Sequence, residues 1–456
     1  MLLWLAFACQ NQDSGSGITG ENDSSVLVDS TSTTDSSSTT VTYTDGEQAI
    51  ASNSFAGKNL LIISMDTTRV GRLQTWGNET SPNPEFEGIL AQGLVVEAMS
   101  ANWTFPSMSV LQTARSLKEL GVLVFRPPGA NGQDPLPASE DLFTEVLARS
   151  GYDDSILYTG NDMFGPDRGL TDGFADVQIY VPWRDQIEEV YSELTVFIES
   201  REEDNSNKPW VAWHHANAAH DAYAPPPEFT SCPSNARLPD GMVNDANVLP
   251  NLEAAWDSYD TATQEAAMAW VLCQYDGELN MDMYFLGKFL REQIANGLLE
   301  STLVVFLTDH GEAFEDHGFF THGNTVWLEE TRTGAVFLGA GIEPGRFNGF
   351  IGQQDIAPTI LSALGIDIPP TMTGVPLGMG EGRILETFTC TTWQAAALHT
   401  SSGKWAISDP SAGLLEAYDI GIDPDTTSPL DAVPSDIDAA LSGMFEASVA
   451  EMWCSG

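Results

Sequence analysis

The sequence predicts an α/β protein with a mainly parallel central sheet, and three observations carry the prediction. Continuous apolar runs of strand length recur along the chain, helical patterns fall between them, and two of the runs end on Asp or on Asp-His. A run that is apolar at every position implies a strand buried on both faces, and strands alternating with helices imply parallel pairing. Sheets of this kind bind ligands beyond the carboxyl ends of their strands.

Taken in chain order, residues 1–9 (MLLWLAFAC) place small residues before Cys9, the layout of a lipoprotein-type signal that ends in a lipidated cysteine. The expectation is an exported protein anchored to a bacterial membrane or cell surface through its N-terminus. No later segment approaches the ~20 uninterrupted apolar residues of a membrane span. Residues 10–54 are rich in Ser, Thr and Asp and have too little apolar surface to offset the entropy of ordering, so they are expected to be a disordered tether. The folded part is expected from Phe55, with a catalytic domain over 55–380 and a small α+β subdomain over 381–456. Strands are predicted at 59–65 (NLLIISM), 210–213 (WVAW), 302–308 (TLVVFLT) and 334–338 (GAVFL), and helices at 140–150, 190–200, 261–294 and 355–364. Short strands near 395–399 and 404–408 belong to the C-terminal subdomain.

Composition narrows the function. Asp and Glu number 65 against 18 Lys and Arg, a net charge of −47, which repels nucleic acid at long range and excludes it as a partner. Hydrophobic residues at 42% place the bulk of the chain among globular proteins. Beyond Cys9 the cysteines are Cys232, Cys273, Cys390 and Cys454, an even number that fits two disulfides in an exported chain. Sequence order suggests Cys232 with Cys273 and Cys390 with Cys454, and three pairings are open.

The strand over 59–65 ends at Asp66, the strand over 302–308 ends at Asp309-His310, and the strand over 210–213 runs into His214-His215. Carboxylate and imidazole from separate strand ends can converge on one divalent cation, although each Asp taken singly could equally cap a helix or a turn. Thr104-Phe105-Pro106-Ser107 has the layout of a helix start. There Thr104 or Ser107 is either a cap or a hydroxyl placed where free N–H groups and the helix dipole favour an anion.

These residues resemble the sulfatase family of the alkaline phosphatase superfamily. The resemblance is carried from about Lys58 to Asp431 by NLLIISMDTTR, TFPS, HDAYAPPPEF from His220, YDGELNMDMYFLGKFL from Tyr275, TLVVFLTDHGEAFEDHG, HGNTVWLEETR from His322, DIAPTILSALGI from Asp355 and YDIGIDPDTTSPL from Tyr418. It implies an alkaline phosphatase-like, sulfatase-like α/β fold with a mainly parallel sheet flanked by helices. It implies one divalent metal ion, Ca²⁺, Mn²⁺, Mg²⁺ or Zn²⁺, on Asp66, Thr104, Asp309 and His310. Thr104 stands at the nucleophile position, His220 and His322 at positions near the transferred group and leaving group, and Arg332 is a candidate substrate contact. His317 lies in an EHG-like turn with either a structural or a catalytic role, and His399 lies in the C-terminal subdomain. The sequence departs from the family where Thr104 replaces the Cys or Ser that becomes formylglycine and Met108 replaces an Arg. Ala216 stands four residues before His220, where two-metal members have Asp, and Thr159-Gly160-Asn161 lacks the substrate-binding Lys. The reading that follows is phosphoryl chemistry on an anionic ester, whether a lipid head group, a glycan or a small molecule. An atypical sulfatase and a catalytically degenerate binding protein are the alternatives. Four arginines, Arg69, Arg72, Arg115 and Arg332, are available to supply positive charge.

Overall fold

A computed structural model describes residues 43–44, 50–120, 136, 139–180, 186–204, 208–217 and 219–445; the expected signal at 1–9, most of the tether and Cys454 lie outside them. The nine strands of the large sheet are β1 (Tyr43–Thr44), β2 (Asn59–Met65), β3 (Leu94–Met99), β4 (Asp154–Thr159), β5 (Asp176–Ile179), β6 (Trp210–Ala216), β7 (Thr302–Thr308), β8 (Arg332–Leu338) and β9 (Gly345–Gly352). They lie in the order β1-β9-β3-β8-β7-β2-β6-β4-β5. All neighbours pair parallel except β8, which runs antiparallel to both β3 and β7. A second, four-stranded antiparallel sheet is made of β10 (Ile384–Thr389), β11 (Gln394–His399), β12 (Lys404–Asp409) and β13 (Leu414–Asp419).

The helices are α1 (Pro84–Leu90), α2 (Thr104–Thr113), α3 (Leu117–Leu120), α4 (Phe143–Arg149), α5 (Ile187–Asp204), α6 (Val248–Ala255), α7 (Thr261–Ala295), α8 (Leu298–Ser301), α9 (Leu328–Thr331), α10 (Ile356–Leu364) and α11 (Ser435–Met444). Helices cover both faces of the large sheet, while α11 lies against β10, β11 and β12 of the small one. Alternate residues of one strand feed different cores: Leu60 and Ile62 pack with Phe105, Phe143 and Ile360, whereas Leu61 and Ile63 pack with Phe86, Leu194 and Leu279. Burial on both faces is why these strands are apolar at every position. A third cluster joins Val326, Trp327 and Leu328 to Trp405, Ile407 and Tyr418 of the small sheet. None of the described helices is long and apolar enough to cross a membrane.

Two expectations change, and the first suggested disulfide is present. The folded unit begins ahead of Phe55: β1 pairs with β9, and the Asn53 N–H donates to the Ser362 carbonyl at 2.8 Å. A two-residue edge pairing leaves no periodic signal in a polar stretch. The strand expected over 210–213 extends to Ala216, so His214 and His215 are buried strand residues and not strand ends. They are accepted there because aromatic rings receive them, Tyr191 edge-on to His214 and Phe164 against His215. Cys232 and Cys273 form a disulfide, with Cα atoms 5.2 Å apart. The second suggested pair includes Cys454, outside the described residues.

Candidate active site

The register of β2 on β7 builds the centre. Met65 lies opposite Thr308, so the residues that follow, Asp66 and Asp309, leave the sheet side by side. Asp309 Oδ1 accepts from the N–H groups of Thr67 (3.0 Å) and His310 (2.7 Å), while its Oδ2 is buried without a hydrogen-bond partner. Thr67 has φ 53°, a left-handed conformation that a β-branched residue rarely adopts. Tyr275 of α7 secures this turn: its hydroxyl donates to the Thr67 carbonyl and accepts from the Arg69 N–H, both at 2.8 Å.

The proton of the His310 ring is fixed by a carbonyl. Nδ1 lies 2.8 Å from the Gly311 oxygen, which can only accept, so Nδ1 donates to it and Nε2 faces the cluster. Nε2 stands 3.3 Å from Thr104 Oγ1, 3.4 Å from Asp66 Oδ1 and 3.6 Å from Asp309 Oδ2. Gly311 is required at this turn, because a Cβ there would lie 2.0 Å from the Glu329 carbonyl oxygen.

Thr104 opens α2 as its first helical residue, five positions after β3 leaves the same sheet edge. Its hydroxyl donates to Asp66 Oδ1 at 3.2 Å. Neither Thr104 nor Ser107 caps the helix; Trp103 occupies the cap position and makes no side-chain bond there. Ser107 Oγ is buried without a partner, and Met108, where the family pattern has Arg, is fully buried in the core.

Carboxylate oxygens of Asp66 and Asp309 and a nitrogen of His310 lie within 4.8 Å of one another, all buried. This donor set, with the orphaned Asp309 Oδ2 turned to His310 Nε2 and the Thr104 hydroxyl alongside, fits a divalent cation. The two carboxyls differ in character. Burial works to raise Asp66, but the imidazoles of His215 and His310 beside it outweigh burial and hold it well below the usual carboxylate range. Burial, with repulsion from Asp66, pushes Asp309 up to about 7 against the pull of His310.

His322 and His220 flank this cluster, with ring centroids 4.6 Å from His310 to His322 and 5.0 Å from His322 to His220. Burial alone would lower His220, but its bond to Asp221 and the charge of Asp66 hold it up to about 10. His322 Nδ1 is 3.0 Å from Glu312 Oε1, and the other Glu312 oxygen accepts from the Tyr223 hydroxyl at 3.2 Å.

The remaining candidates lie apart or are engaged elsewhere. His317 stacks flat on Trp327 at 3.6 Å and bonds Glu329, and Trp327 in turn packs on Trp405 of the small sheet. His214 is lowered to about 3 by burial and by the neighbouring His215. His215 bonds Ser64 and places Nε2 3.7 Å from Asp66 Oδ2. His399 ends β11 in the small sheet. Arg332, the candidate substrate contact, instead binds Glu97 at 2.9 Å and the Trp76 carbonyl. It enters the sheet at the start of β8, opposite Met99 of β3, and Glu97 of the same strand captures its guanidinium. Arg69, Arg72 and Arg115 likewise pair with Asp316, Asp276 and Glu140.

Two residues at this centre carried no weight in the sequence. Asn161, noted there only as standing where a Lys is missing, donates from Nδ2 to Asp66 Oδ2 at 2.6 Å and lies 3.5 Å from Thr104 Oγ1. Its signal is its place just after β4, one more parallel strand ending at the same edge. Glu312 follows the Asp309-His310-Gly311 turn directly, but its partner ten residues on is a product of loop folding.

The family model described as Sulfatase matches residues 58–366. Arylsulfatase K of Bos taurus is 24% identical over 159 residues, covering 31% of this chain and 29% of its own. Arylsulfatase K of Homo sapiens is 26% identical over 147 residues, covering 28% and 27%. The chain thus aligns with less than a third of the length of these curated relatives. Among solved structures, a 2-O GAG sulfatase has a TM-score of 0.63 at 15% identity, covering 87% of this chain and 92% of that one. The phosphonate monoester hydrolase of Agrobacterium radiobacter gives 0.59 at 17%, covering 85% and 94%. The lipoteichoic acid synthase LtaP of Listeria monocytogenes gives 0.58 at 16%, covering 88% and 93%.

Proposed function

We propose, because this chain belongs to the sulfatase family, that it cleaves or transfers an anionic phosphate, phosphonate or sulfate ester with Thr104 as nucleophile, phosphoryl chemistry being favoured. The observation that carries this reading is the place of the Thr104 hydroxyl, at a helix start 3.2 Å from Asp66 Oδ1 and 3.3 Å from His310 Nε2. A divalent ion held by Asp66, Asp309, His310 and Thr104 would supply Lewis acidity, lowering the hydroxyl pKa and neutralising ester oxygens. Thr104 Oγ1, ionised, bonds to the phosphorus or sulfur as the bond to the leaving oxygen breaks. The first-turn N–H groups of α2 face the charge that builds on the reacting centre. His322, oriented through Nδ1 by Glu312, gives its Nε2 proton to the leaving oxygen. In hydrolysis, water then attacks the same centre and returns a proton to His322 as Thr104 is released; in transfer, an acceptor hydroxyl replaces that water. His220 is a second contact for the ester or leaving group.

The preference for phosphoryl transfer rests on Thr104, which formylglycine maturation does not use. A sulfate ester attacked by the same oxygen is the second reading, favoured by the similarity to arylsulfatase K. Export through a lipid-anchored Cys9, a Ser/Thr/Asp-rich tether ahead of β1, a catalytic domain reaching to 380 and a subdomain over 381–456 complete the proposal.

The test is an assay of aryl sulfate, phosphate monoester and phosphodiester side by side with Ca²⁺, Mn²⁺ or Zn²⁺. Phosphoryl turnover is expected, with a loss of about a thousandfold or more in Thr104→Ala, the scale on which nucleophile removal acts, and abolition by a chelator. Turnover of sulfate alone would sink phosphoryl chemistry. Full activity in Thr104→Ala, or no metal binding in the wild type, would sink the catalytic assignment.

A further inference from the structure

We infer, resting on the reading of His322 as donor of a proton to the leaving oxygen, that Tyr223 is a positioning residue for that step. Its hydroxyl fixes the Glu312 carboxylate and Glu312 fixes the His322 ring. Turnover of esters with poor leaving groups therefore depends on a side chain that acts only through these two.

The first argument is that His322 needs an anchor. Its ring lies between two others, with centroids 4.6 Å from His310 and 5.0 Å from His220. The ring torsion of a histidine is a broad, roughly two-fold well, so without an anchor either ring nitrogen could turn to the ester. Nδ1 is 3.0 Å from Glu312 Oε1 and donates to that carboxylate, which leaves Nε2 as the nitrogen for the leaving oxygen. Glu312 is itself a flexible side chain and has to be held. It is fully buried, and its other oxygen, Oε2, accepts from the Tyr223 hydroxyl at 3.2 Å. With one oxygen on His322 and the other on Tyr223, two bonds set the plane of the carboxylate. Burial, then the charges of Glu312 and Asp221, hold the Tyr223 phenol well above its ordinary value, so it remains a donor.

The second argument is that Tyr223 is itself secured. It is fully buried with its ring edge-on to Tyr275 at 5.6 Å, and Tyr275 is the residue that holds the Thr67 turn beside Asp66. The Tyr223 carbonyl accepts from Asn244 Nδ2 at 2.5 Å, and the next N–H, that of Ala224, donates to Glu278 at 2.7 Å. Packing on Tyr275 accounts for the ring. It does not account for the hydroxyl, whose bond goes to the carboxylate that holds His322. The three members come from three segments: Tyr223 from the connection after β6, Glu312 from the turn after β7 and His322 from the loop ahead of α9.

The experiment uses the full chain with Mn²⁺ and compares 4-nitrophenyl with phenyl esters of phosphate, phosphonate and sulfate, read on the group that the wild type turns over. A proton matters most where the leaving oxygen is most basic, so the phenyl ester reports on it and the 4-nitrophenyl ester much less. His322→Ala is expected to lower kcat on the phenyl ester by about a hundredfold, the scale of general-acid catalysis, and to spare the 4-nitrophenyl ester. Tyr223→Phe keeps the ring and removes the bond. It should lower kcat on the phenyl ester by about tenfold, the scale of one hydrogen bond to a charged group, with KM unchanged and the 4-nitrophenyl ester within about twofold of wild type. In the His322→Ala background the same substitution should cost nothing further, because residues that act as a unit are not additive. Glu312→Ala removes the link between the two, should show the same selective loss, and stands in if Tyr223→Phe does not fold. An equal loss on both esters, a loss that persists in the His322→Ala background, or full activity in Tyr223→Phe would mark a structural role and overturn the inference. A His322→Ala variant that falls equally on both esters would instead overturn the reading of His322 as proton donor, and turnover of none of the esters would overturn the two together.

Discussion

Glu330 shows how a buried residue can hold the active-site loop while leaving a pH signature. Its Oε2 accepts from the N–H groups of Gly323 (2.9 Å) and Thr325 (3.3 Å), on either side of the segment that follows His322. Its Oε1 is buried without a partner. Burial, then the charges of Glu312 and Glu329, push this carboxyl well above its usual range against those two backbone bonds. An acid whose pKa is raised on folding stabilises the fold below its unfolded pKa of ~4.3, and that contribution is lost as pH rises through the folded value. Glu330→Gln keeps a carbonyl acceptor and removes the charge. Its urea midpoint at pH 7 should equal or exceed that of the wild type, with the difference closing as pH falls toward 5; a midpoint lower at pH 7 would contradict the assignment. At this scale the sequence pointed to Asp66, Asp309 and His310 because each follows an apolar run directly. Asn161 and Glu312 follow no such rule of position alone: their partners lie 95 and ten residues away, and only a folded sheet edge brings them together.

Helix α7 shows how an element can place a residue it does not carry. The segment after His220 lies along it: the Ala224 N–H donates to Glu278 at 2.7 Å, Asn280 donates to the Phe229 carbonyl at 3.1 Å, and Cys232 is joined to Cys273. Two helix glycines separate propensity from packing. A Cβ at Gly277 would lie 2.8 Å from Pro225 Cγ and 2.9 Å from Thr230 Cγ2, whereas at Gly287 the nearest atoms are at 3.4 and 3.5 Å. Gly to Ala in a helix gains roughly 0.5–1 kcal/mol, and overpacking costs about 1–3 kcal/mol. Gly287→Ala should therefore be neutral or stabilising and Gly277→Ala destabilising in urea unfolding, with the loss of turnover confined to the latter. The reverse order would remove the packing argument. Helix and strand centres were legible because periodicity is local. The antiparallel sense of β8 was not, since an apolar run such as 334–338 reads the same in either direction and only the chain's path decides it.

For the whole molecule, the net charge of −47 is the dominant fact. Self-repulsion of this size opposes the compact state and is screened as the Debye length falls from ~30 Å at 0.01 M to ~3 Å at 1 M salt. The melting temperature should therefore rise between those concentrations of NaCl, and a fall would show that specific ion pairs outweigh the net field. The same composition first argues against anionic ligands, yet the proposed substrate is an anion. The two are compatible because the site's electrostatics come from a local cluster of candidate metal ligands, imidazoles and an amide, not from Arg69, Arg72, Arg115 and Arg332, which the fold commits to carboxylates. The sequence by itself determined the α/β class and the family, and it brought forward the candidate metal-ligand triad, because buried parallel strands and the residues at their carboxyl ends are written contiguously in the chain. Only the tertiary structure decided which charges remain matched, which histidines face Thr104 and that Asn161 completes the centre. Those depend on register and loop path, which set distances between residues that no local pattern connects.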